Sequence, residues 1–145
     1  MRIAIIAVGK VKQVGLRAEL DDYLGRLKRF ASTTEVELKD APEKELIPRF
    51  EKAIPTRTKV IALEVGGRMM DSHALARFVA DLERDPGSAA FLIGGAYGLP
   101  PEVSKRADVQ LSLSPMTLPH RLARLLLAEQ LYRAYTILRN EPYSH

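Results

Sequence analysis

Residues 89–99 read Ala-Ala-Phe-Leu-Ile-Gly-Gly-Ala-Tyr-Gly-Leu, and this stretch decides the predicted fold. Its first five residues form a short apolar run, which is typical of a strand that is buried on both faces of a parallel sheet. The glycines that follow lack a Cβ atom, so the backbone there can approach a ligand closely. The sequence therefore predicts a buried strand that ends in a loop suited to binding.

Further strands are predicted on both sides of this stretch. Two are apolar runs that end at glycines, and two are shorter: residues 1–8, 59–65, 33–38 and 109–113. The run at 59–65 is expected to be closed by Gly66 and Gly67. Because strands alternate with helical patterns, we predict an α/β fold with a mostly parallel sheet covered by helices on both faces, as one domain over residues 1–145.

Apolar residues at helical spacing predict the helices between these strands. They fall at about 16–30, 42–53, 72–82, 101–106 and 119–138. Asp71 is the expected N-cap of the third helix, and Thr117 or Leu118 that of the last, with Pro119 as its first residue.

Composition excludes several classes of protein. Among 145 residues, 46% are hydrophobic and 28% are charged, which excludes a disordered chain and a collagen. With no cysteine there is no disulfide scaffold and no thiolate nucleophile, and a cytoplasmic location is expected. No apolar run reaches the ~20 residues of a bilayer span, and the three histidines lack metal-binding spacing, so neither a membrane nor a metal is expected as a partner. The net charge of +4 permits a nucleic-acid partner.

Three loops follow predicted strands and are candidates for a ligand site: residues 63–67, 93–100 and 113–119. In an open parallel sheet, ligands bind beyond the carboxyl ends of the strands. Glycine backbone with Leu, Met and Pro walls suits a flat ring, while the alternative interpretation is that these glycines only make turns. Neither a G-x-G-x-x-G motif nor a Walker A motif occurs, which disfavours a dinucleotide or phosphate site.

The last predicted helix carries a stripe of basic and aromatic residues on one side. Its members are Arg121, Arg124, Tyr132, Tyr135 and Arg139. Such a stripe could contact nucleic acid, or it could be a solvated or subunit-facing surface.

The other sides of this helix are apolar, at Leu122 and Leu126 and at Leu127 and Leu131 among others. A helix that is apolar nearly all round needs cover on two sides, so we expect a second subunit. Glu129 precedes Arg133 by four residues. Arg133 either forms a weak, exposed ion pair with Glu129, or it is held among apolar neighbours for a functional role or paired to avoid the cost of burial. Both interpretations stay open.

In order and spacing together, six segments of the chain resemble the SPOUT methyltransferases, and within them the small ribosomal large-subunit pseudouridine N3-methyltransferases of the RlmH type. The segments are Ile3–Lys10, Ala62–Glu64, Leu92–Leu99, Leu111–His120, Leu131–Ala134 and Pro142–Tyr143. The resemblance spans essentially the whole chain.

This resemblance implies a C-terminal trefoil knot, a homodimer and the cofactor S-adenosylmethionine. The implied cofactor-binding positions are Leu63, Gly95, Ser114, Pro115, Met116, Thr117, Leu118 and Pro119. The implied substrate is a pseudouridine of 23S rRNA on the assembled ribosome, at position 1915 of the family's substrate. A noncatalytic basic module that binds RNA or the ribosome is the alternative function.

N3 of pseudouridine carries a proton that must leave before nitrogen attacks a methyl group. A nearby cation or base would favour the anion, and the candidates are Arg133, His120, Tyr143 and His145. The family usually has His directly after the tail Tyr, whereas this chain reads Tyr143-Ser144-His145. We therefore rank Arg133 above His145.

Overall fold

The computed structural model describes residues 1–143, so the predicted role of His145 lies outside the described part of the chain. The strands are β1 (Arg2–Val8), β2 (Ser32–Leu38), β3 (Lys59–Met69), β4 (Ser88–Ile93) and β5 (Val109–Ser112). The helices are α1 (Val14–Leu27), α2 (Glu43–Ala53), α3 (Ser72–Arg84), α4 (Pro101–Arg106) and α5 (His120–Leu138). Each predicted strand and helix is confirmed, with small shifts at most boundaries.

The five strands form one sheet in the order β2-β1-β4-β3-β5, and every neighbouring pair is parallel. β4 lies in the middle and all six of its residues are buried. A strand covered on both faces has no solvent side, which explains why residues 89–93 are apolar without alternation. The predicted α/β class with a parallel sheet is confirmed.

Helices cover both faces of the sheet and make two separate cores. Alternate residues of β1 point to opposite faces, as the pleat requires. Ile3 and Ile5 join a core with α1, α3 and α5, while Ala4 and Ile6 join a core with α2 and α4. The three helices of the first core bring the start of α5 to the edge of the sheet where the strands end.

The predicted end of β3 is wrong. The strand does not close at the glycine pair but continues to Met69, with an irregularity in which both Leu63 and Arg68 pair with Leu111 of β5. A Cβ atom on Gly67 would lie 2.8 Å from the Gln110 backbone carbonyl, so only glycine allows this close approach. Gly67 therefore packs β3 against β5 and does not form a simple turn.

Two helix caps illustrate what local sequence can and cannot specify. The carboxylate of Asp71 accepts a hydrogen bond of 2.7 Å from the Ala74 backbone N–H, which confirms its predicted role as N-cap of α3. The cap of α5 is Pro119, with no side-chain hydrogen bond, so the prediction of Thr117 or Leu118 is wrong. The trefoil knot stays a prediction.

Within residues 1–143 no helix combines the length and apolar character that crossing a bilayer requires.

Candidate functional site

A cavity of about 500 Å³, which we call the strand-end cavity, opens where β4 and β5 end and α5 begins, beside the irregular stretch of β3. The three loops predicted as a ligand site all contribute to its walls. Residues lining it come from 63–65, 93–99 and 113–119, together with His120 and Ala123 of α5. Two of these segments meet because the parallel strands β4 and β5 end at the same edge of the sheet, and the third, 63–65, lies in β3 where its pairing with β5 becomes irregular.

The structure brings together most of the residues that the resemblance assigns to cofactor binding. Seven of the eight line the strand-end cavity: Leu63, Gly95, Ser114, Met116, Thr117, Leu118 and Pro119. Pro115 does not line it and is exposed. His120 follows Pro119 directly in the chain and lines the same cavity.

Glu64 and Ala123 also line the strand-end cavity. Sequence analysis included Glu64 in a candidate loop without giving it a role, and it missed Ala123. Glu64 is the carboxylate that the cavity wall contains, and its place directly after Leu63 at a predicted strand end was a usable signal. Ala123 was not foreseen because its contribution depends on the direction in which α5 leaves the loop.

The glycine-rich wall of the cavity is held in one conformation. A Cβ atom on Gly94 would overlap the carbonyl carbon of Gly98, so this position requires glycine. Gly98 has a φ of +79°, which few side chains tolerate, and its N–H donates a 3.0 Å hydrogen bond to the Gly95 carbonyl. A Cβ atom on Gly95 would point away from the turn, 3.2 Å from Cγ1 of Val8. The turn is therefore anchored to the core beneath it.

The loop between β5 and α5 is ordered by short side-chain hydrogen bonds. The Ser112 hydroxyl donates to the Ser114 carbonyl at 2.9 Å, and the Ser114 hydroxyl accepts from the Met116 N–H at 2.9 Å. Met116 is left with 73% of its surface exposed at the rim of the cavity.

The central residues of the basic and aromatic stripe on α5 are buried inside the chain, so for them both interpretations are wrong: they form neither a nucleic-acid surface nor a solvated or subunit-facing one. Arg124, Tyr132 and Tyr135 are all buried, although Arg121 and Arg139 at the ends of the stripe are exposed. The side of α5 that carries these residues faces α1 and the sheet. Helical spacing located the stripe correctly but could not tell which face of a nearly all-apolar helix is turned inward.

Arg124 is 1% exposed and ion-paired on the inner side of α5. Its guanidinium donates to Glu35 at 2.9 Å, to Glu37 at 2.5 Å and to the Gly9 carbonyl at 3.1 Å. Gly9 follows Val8, the residue on which the glycine-rich wall rests. Arg124 therefore ties the beginning of α5 to β2 and to the end of β1, directly below the strand-end cavity.

A second cluster lies near the other end of α5. Arg133 donates a hydrogen bond of 2.8 Å to Glu129, and the Tyr143 hydroxyl donates to the same carboxylate oxygen at 2.7 Å. The guanidinium carbon of Arg133 stands 4.9 Å from the centre of the Tyr143 ring. Two of the four predicted catalytic residues, Arg133 and Tyr143, are thus in contact.

Both groups keep their protons in this cluster. Hydrogen bonding to Glu129 raises the pKa of Arg133, so it stays a cation. Burial, together with hydrogen bonds to Tyr23 and Glu129, raises the pKa of Tyr143, so its hydroxyl stays a neutral donor at physiological pH. Arg133 can therefore stabilise negative charge, and neither Arg133 nor Tyr143 is available as a base.

The cluster and the cavity are far apart within one chain. Arg133 is thirteen residues beyond His120, which corresponds to about 20 Å along the helix axis. Leu122 and Leu126, which lie on the stretch of α5 between the two, are 40% and 42% exposed. Within a single chain, therefore, the cavity and the cationic cluster do not touch, and an apolar helix face lies between them.

In the part of the chain that the structure describes, no group of three or more His, Asp or Glu side chains is placed to hold a metal ion.

Comparison with known proteins adds the family. A family model described as "Predicted SPOUT methyltransferase" matches residues 1–145. A protein of Sorangium cellulosum named ribosomal RNA large subunit methyltransferase H is 52% identical over 146 residues, covering 100% of both chains. A protein of Gemmatimonas aurantiaca with the same name is 40% identical over 152 residues, covering 99% of both.

Solved structures share the fold at low sequence identity. A probable methylase family protein from Haemophilus influenzae has a TM-score of 0.63 and 15% identity, over 99% of this chain and 70% of that one. The SpoU methyltransferase AviRb from Streptomyces viridochromogenes, solved in complex with the cofactor AdoMet, has a TM-score of 0.52 and 12% identity, over 92% of this chain and 58% of that one. These likenesses concern the fold.

Proposed function

The chain belongs to the SPOUT methyltransferase family, and we propose that it methylates N3 of a pseudouridine in 23S rRNA of the assembled ribosome. It is an rRNA methyltransferase that depends on S-adenosylmethionine. The noncatalytic RNA-binding module gains no support, because a structured cavity would have no role in it. We also propose that residues 1–145 act as one domain, that the enzyme is a homodimer and that it is cytoplasmic.

The strand-end cavity fits S-adenosylmethionine in size and chemistry. Its volume of about 500 Å³ lies in the range of small-ligand sites. Leu63, Ile93 and Leu118 would supply apolar walls for the adenine ring, and the glycines at 94, 95 and 98 would let the backbone approach it closely. Glu64 supplies a carboxylate for hydroxyl or ammonium groups. When bound, the cofactor supplies an electrophilic methyl group on a sulfonium.

The distance between the cavity and Arg133 is the observation that carries the homodimer. A guanidinium about 20 Å along the helix from His120 cannot act on a nucleotide at the cavity of its own chain. A second copy packed on the exposed face of Leu122 and Leu126 would cover that face and could bring its own Arg133 to the cavity. We therefore propose that each site combines the cavity of one subunit with Arg133 and Tyr143 of the other.

Roles for the candidate catalytic residues follow from their protonation. Arg133 stays a cation and would stabilise negative charge that develops on the pyrimidine ring as N3 loses its proton. The Tyr143 hydroxyl, a neutral donor, would orient the ring. Of the described candidates, only His120 has an imidazole nitrogen that can accept the N3 proton, and it lines the cavity.

Activity is tested with purified large ribosomal subunits or whole ribosomes, S-adenosylmethionine and the purified protein. Nucleosides from digested rRNA are then analysed by mass spectrometry. We expect one pseudouridine to gain a methyl group on N3, identified by its chromatographic retention against N1-methylated and N3-methylated standards, since the two isomers have the same mass. A methyl group on ribose, or transfer to another base, would contradict the proposed substrate atom.

Mixing two inactive variants tests whether the site is shared between subunits. Ala123→Trp should block the cavity, and Arg133→Ala removes the cation, so neither homodimer is expected to methylate RNA. If Arg133 acts on the partner's cavity, the mixed dimer contains one intact site, and co-expression restores activity. A mixture as inactive as its components would contradict the shared site. Ala18→Trp, at an exposed position of α1, is the control for the bulky substitution and should stay active.

A further inference from the structure

A second cavity, of about 530 Å³, lies beside the strand-end cavity, and we call it the α2 cavity. It is formed by the segment that leads into α2 and by residues 95–101. The glycine-rich turn at 95–98 lines both cavities and is therefore the wall between them. Whatever binds in the α2 cavity lies next to the ligand of the strand-end cavity.

Tyr97 stands at the mouth of the α2 cavity and is 100% exposed. It is the most exposed large hydrophobic side chain among residues 1–143. The turn that carries it is fixed by Gly94 and Gly98, and Leu99 behind it is buried. A rigid backbone that holds an aromatic ring entirely in solvent offers a stacking surface at low entropic cost.

The lining of the α2 cavity suits a flat ring. Its apolar walls are Ala41, Pro42, Leu46, Pro100 and Pro101. A heterocycle can lie against prolines and an aromatic side chain and make van der Waals contact over its whole face.

The charges at the α2 cavity exclude a phosphate and favour an amino group. Asp40 and Glu43 line it, whereas no lysine or arginine of the described chain does. Acidic residues at the first turn of α2 repel an anion from the helix N-terminus. Carboxylates accept hydrogen bonds from the exocyclic amino groups of guanine, cytosine or adenine, whereas uracil has no such group. Lys39 and Lys44 are exposed beside these carboxylates in the chain, where an RNA backbone could meet them.

We propose that the α2 cavity binds a base of the substrate RNA near the methylated nucleotide, stacked on Tyr97 and held by Asp40 and Glu43, with preference for a base that carries an amino group. This inference rests on the proposed function, because it takes rRNA as the substrate. It adds a specificity site on the far side of the glycine-rich wall.

Steady-state kinetics with ribosomes tests the stacking. Tyr97→Ala should raise KM for the ribosomal substrate at least about tenfold, while kcat and the Kd of S-adenosylmethionine stay near wild type. Tyr97→Phe keeps the ring and should retain the wild-type KM. Val14→Ala, which shortens an exposed apolar side chain on α1, is the matched control and should have no effect.

An unchanged KM in Tyr97→Ala would overturn the proposal, and so would equal losses in the Ala and Phe variants, since the hydroxyl would then be the active part. A parallel loss of S-adenosylmethionine affinity would also overturn it, because Tyr97 would then serve the strand-end cavity. If the wild-type protein methylated no rRNA, the proposed function itself would fail, which is a different result.

A fluorescence measurement tests the base preference independently of turnover. The chain contains no tryptophan, so Tyr97→Trp creates a single reporter at the cavity. Oligocytidine should quench it at lower concentration than oligouridine of the same length, and Glu43→Gln in the same background should reduce that difference. Val14→Trp reports non-specific quenching. Equal quenching of the Tyr97→Trp protein by both oligonucleotides, or the same pattern in the Val14→Trp protein, would contradict the preference for an amino group.

Discussion

Arg124 and Arg133 lie on the same helix and both pair with glutamates, yet their surroundings differ. Arg124 is 1% exposed, and its partners Glu35 and Glu37 come from a strand 89 and 87 residues away in the chain. Arg133 is 24% exposed and pairs with Glu129, one turn back on α5 itself. The first arginine joins three parts of the fold, and the second is supported locally and leaves the rest of its surface free.

This difference separates a structural charge from a functional one. A buried cation with distant partners stabilises only the folded arrangement that brings those partners together, and its loss leaves Glu35 and Glu37 with Arg17 as their remaining cation. A partly exposed cation beside a neutral tyrosine costs the fold little and remains able to meet an anion. The partner's distance along the chain, and not the residue type, therefore distinguishes the two roles.

The largest expected effect is on stability, from Arg124→Ala. Removing the guanidinium leaves Glu35 and Glu37 partly buried with only Arg17 to balance them, and the free energy of unfolding should fall by about 3 kcal/mol, the lower end of the range for breaking a buried ion pair. Urea denaturation measures it. Arg84→Ala, which breaks an exposed pair with Asp81 on α3, is the control and should change stability by less than about 1 kcal/mol. Equal losses of stability in the two variants would contradict the structural role of Arg124.

Arg133→Ala should show the opposite pattern. We expect kcat for rRNA methylation to fall by about 10²–10³-fold, as for loss of a charge-stabilising donor, because the variant lacks the cation that favours the N3 anion. Calorimetry should find the S-adenosylmethionine Kd unchanged, and stability should change little. Arg139→Ala, one turn and a half further along the chain, is the matched control and should turn over normally. Full activity in Arg133→Ala would exclude this arginine from the reaction.

The smallest expected effect is on stability at alkaline pH. It is tested by comparing Tyr135, which is buried, with Tyr97, which is exposed. Burial raises the pKa of Tyr135, so the folded protein keeps a proton that the unfolded chain loses above about pH 10. The unfolded state then binds fewer protons than the folded state, and stability declines as pH rises through that range. Tyr135→Phe should make this decline shallower, whereas Tyr97→Phe should not alter it. Thermal unfolding between pH 8 and about 11 provides the measurement, and identical slopes in all three proteins would contradict it.

Much of the fold could be predicted because its signals are local. The unbroken apolar run at 89–93 predicted a strand covered on both faces, and Asp71 before a helical pattern predicted the N-cap of α3. The end of β3 could not be predicted, because two glycines usually signal a turn. Here Gly67 instead allows contact with the Gln110 backbone, a neighbour in space that the local sequence does not reveal.

The candidate site also has one part that the sequence could predict and another that it could not. The loops that form the strand-end cavity could be located because glycine and apolar residues follow strands that end at one edge. The contribution of Ala123 and the existence of the α2 cavity could not, since both depend on how distant segments are oriented.

The amino-acid order alone was enough to establish the succession of strands and helices, the parallel sheet and the loops that bear on a ligand, because hydrophobic period and capping chemistry act over a few residues. Three features emerged from tertiary packing: which side of α5 is the core, that Arg124 is a buried anchor, and that Arg133 lies far from the cavity of its own chain. The physical reason is that the free energy of a charge depends on its surroundings, and those are supplied by residues distant in the chain.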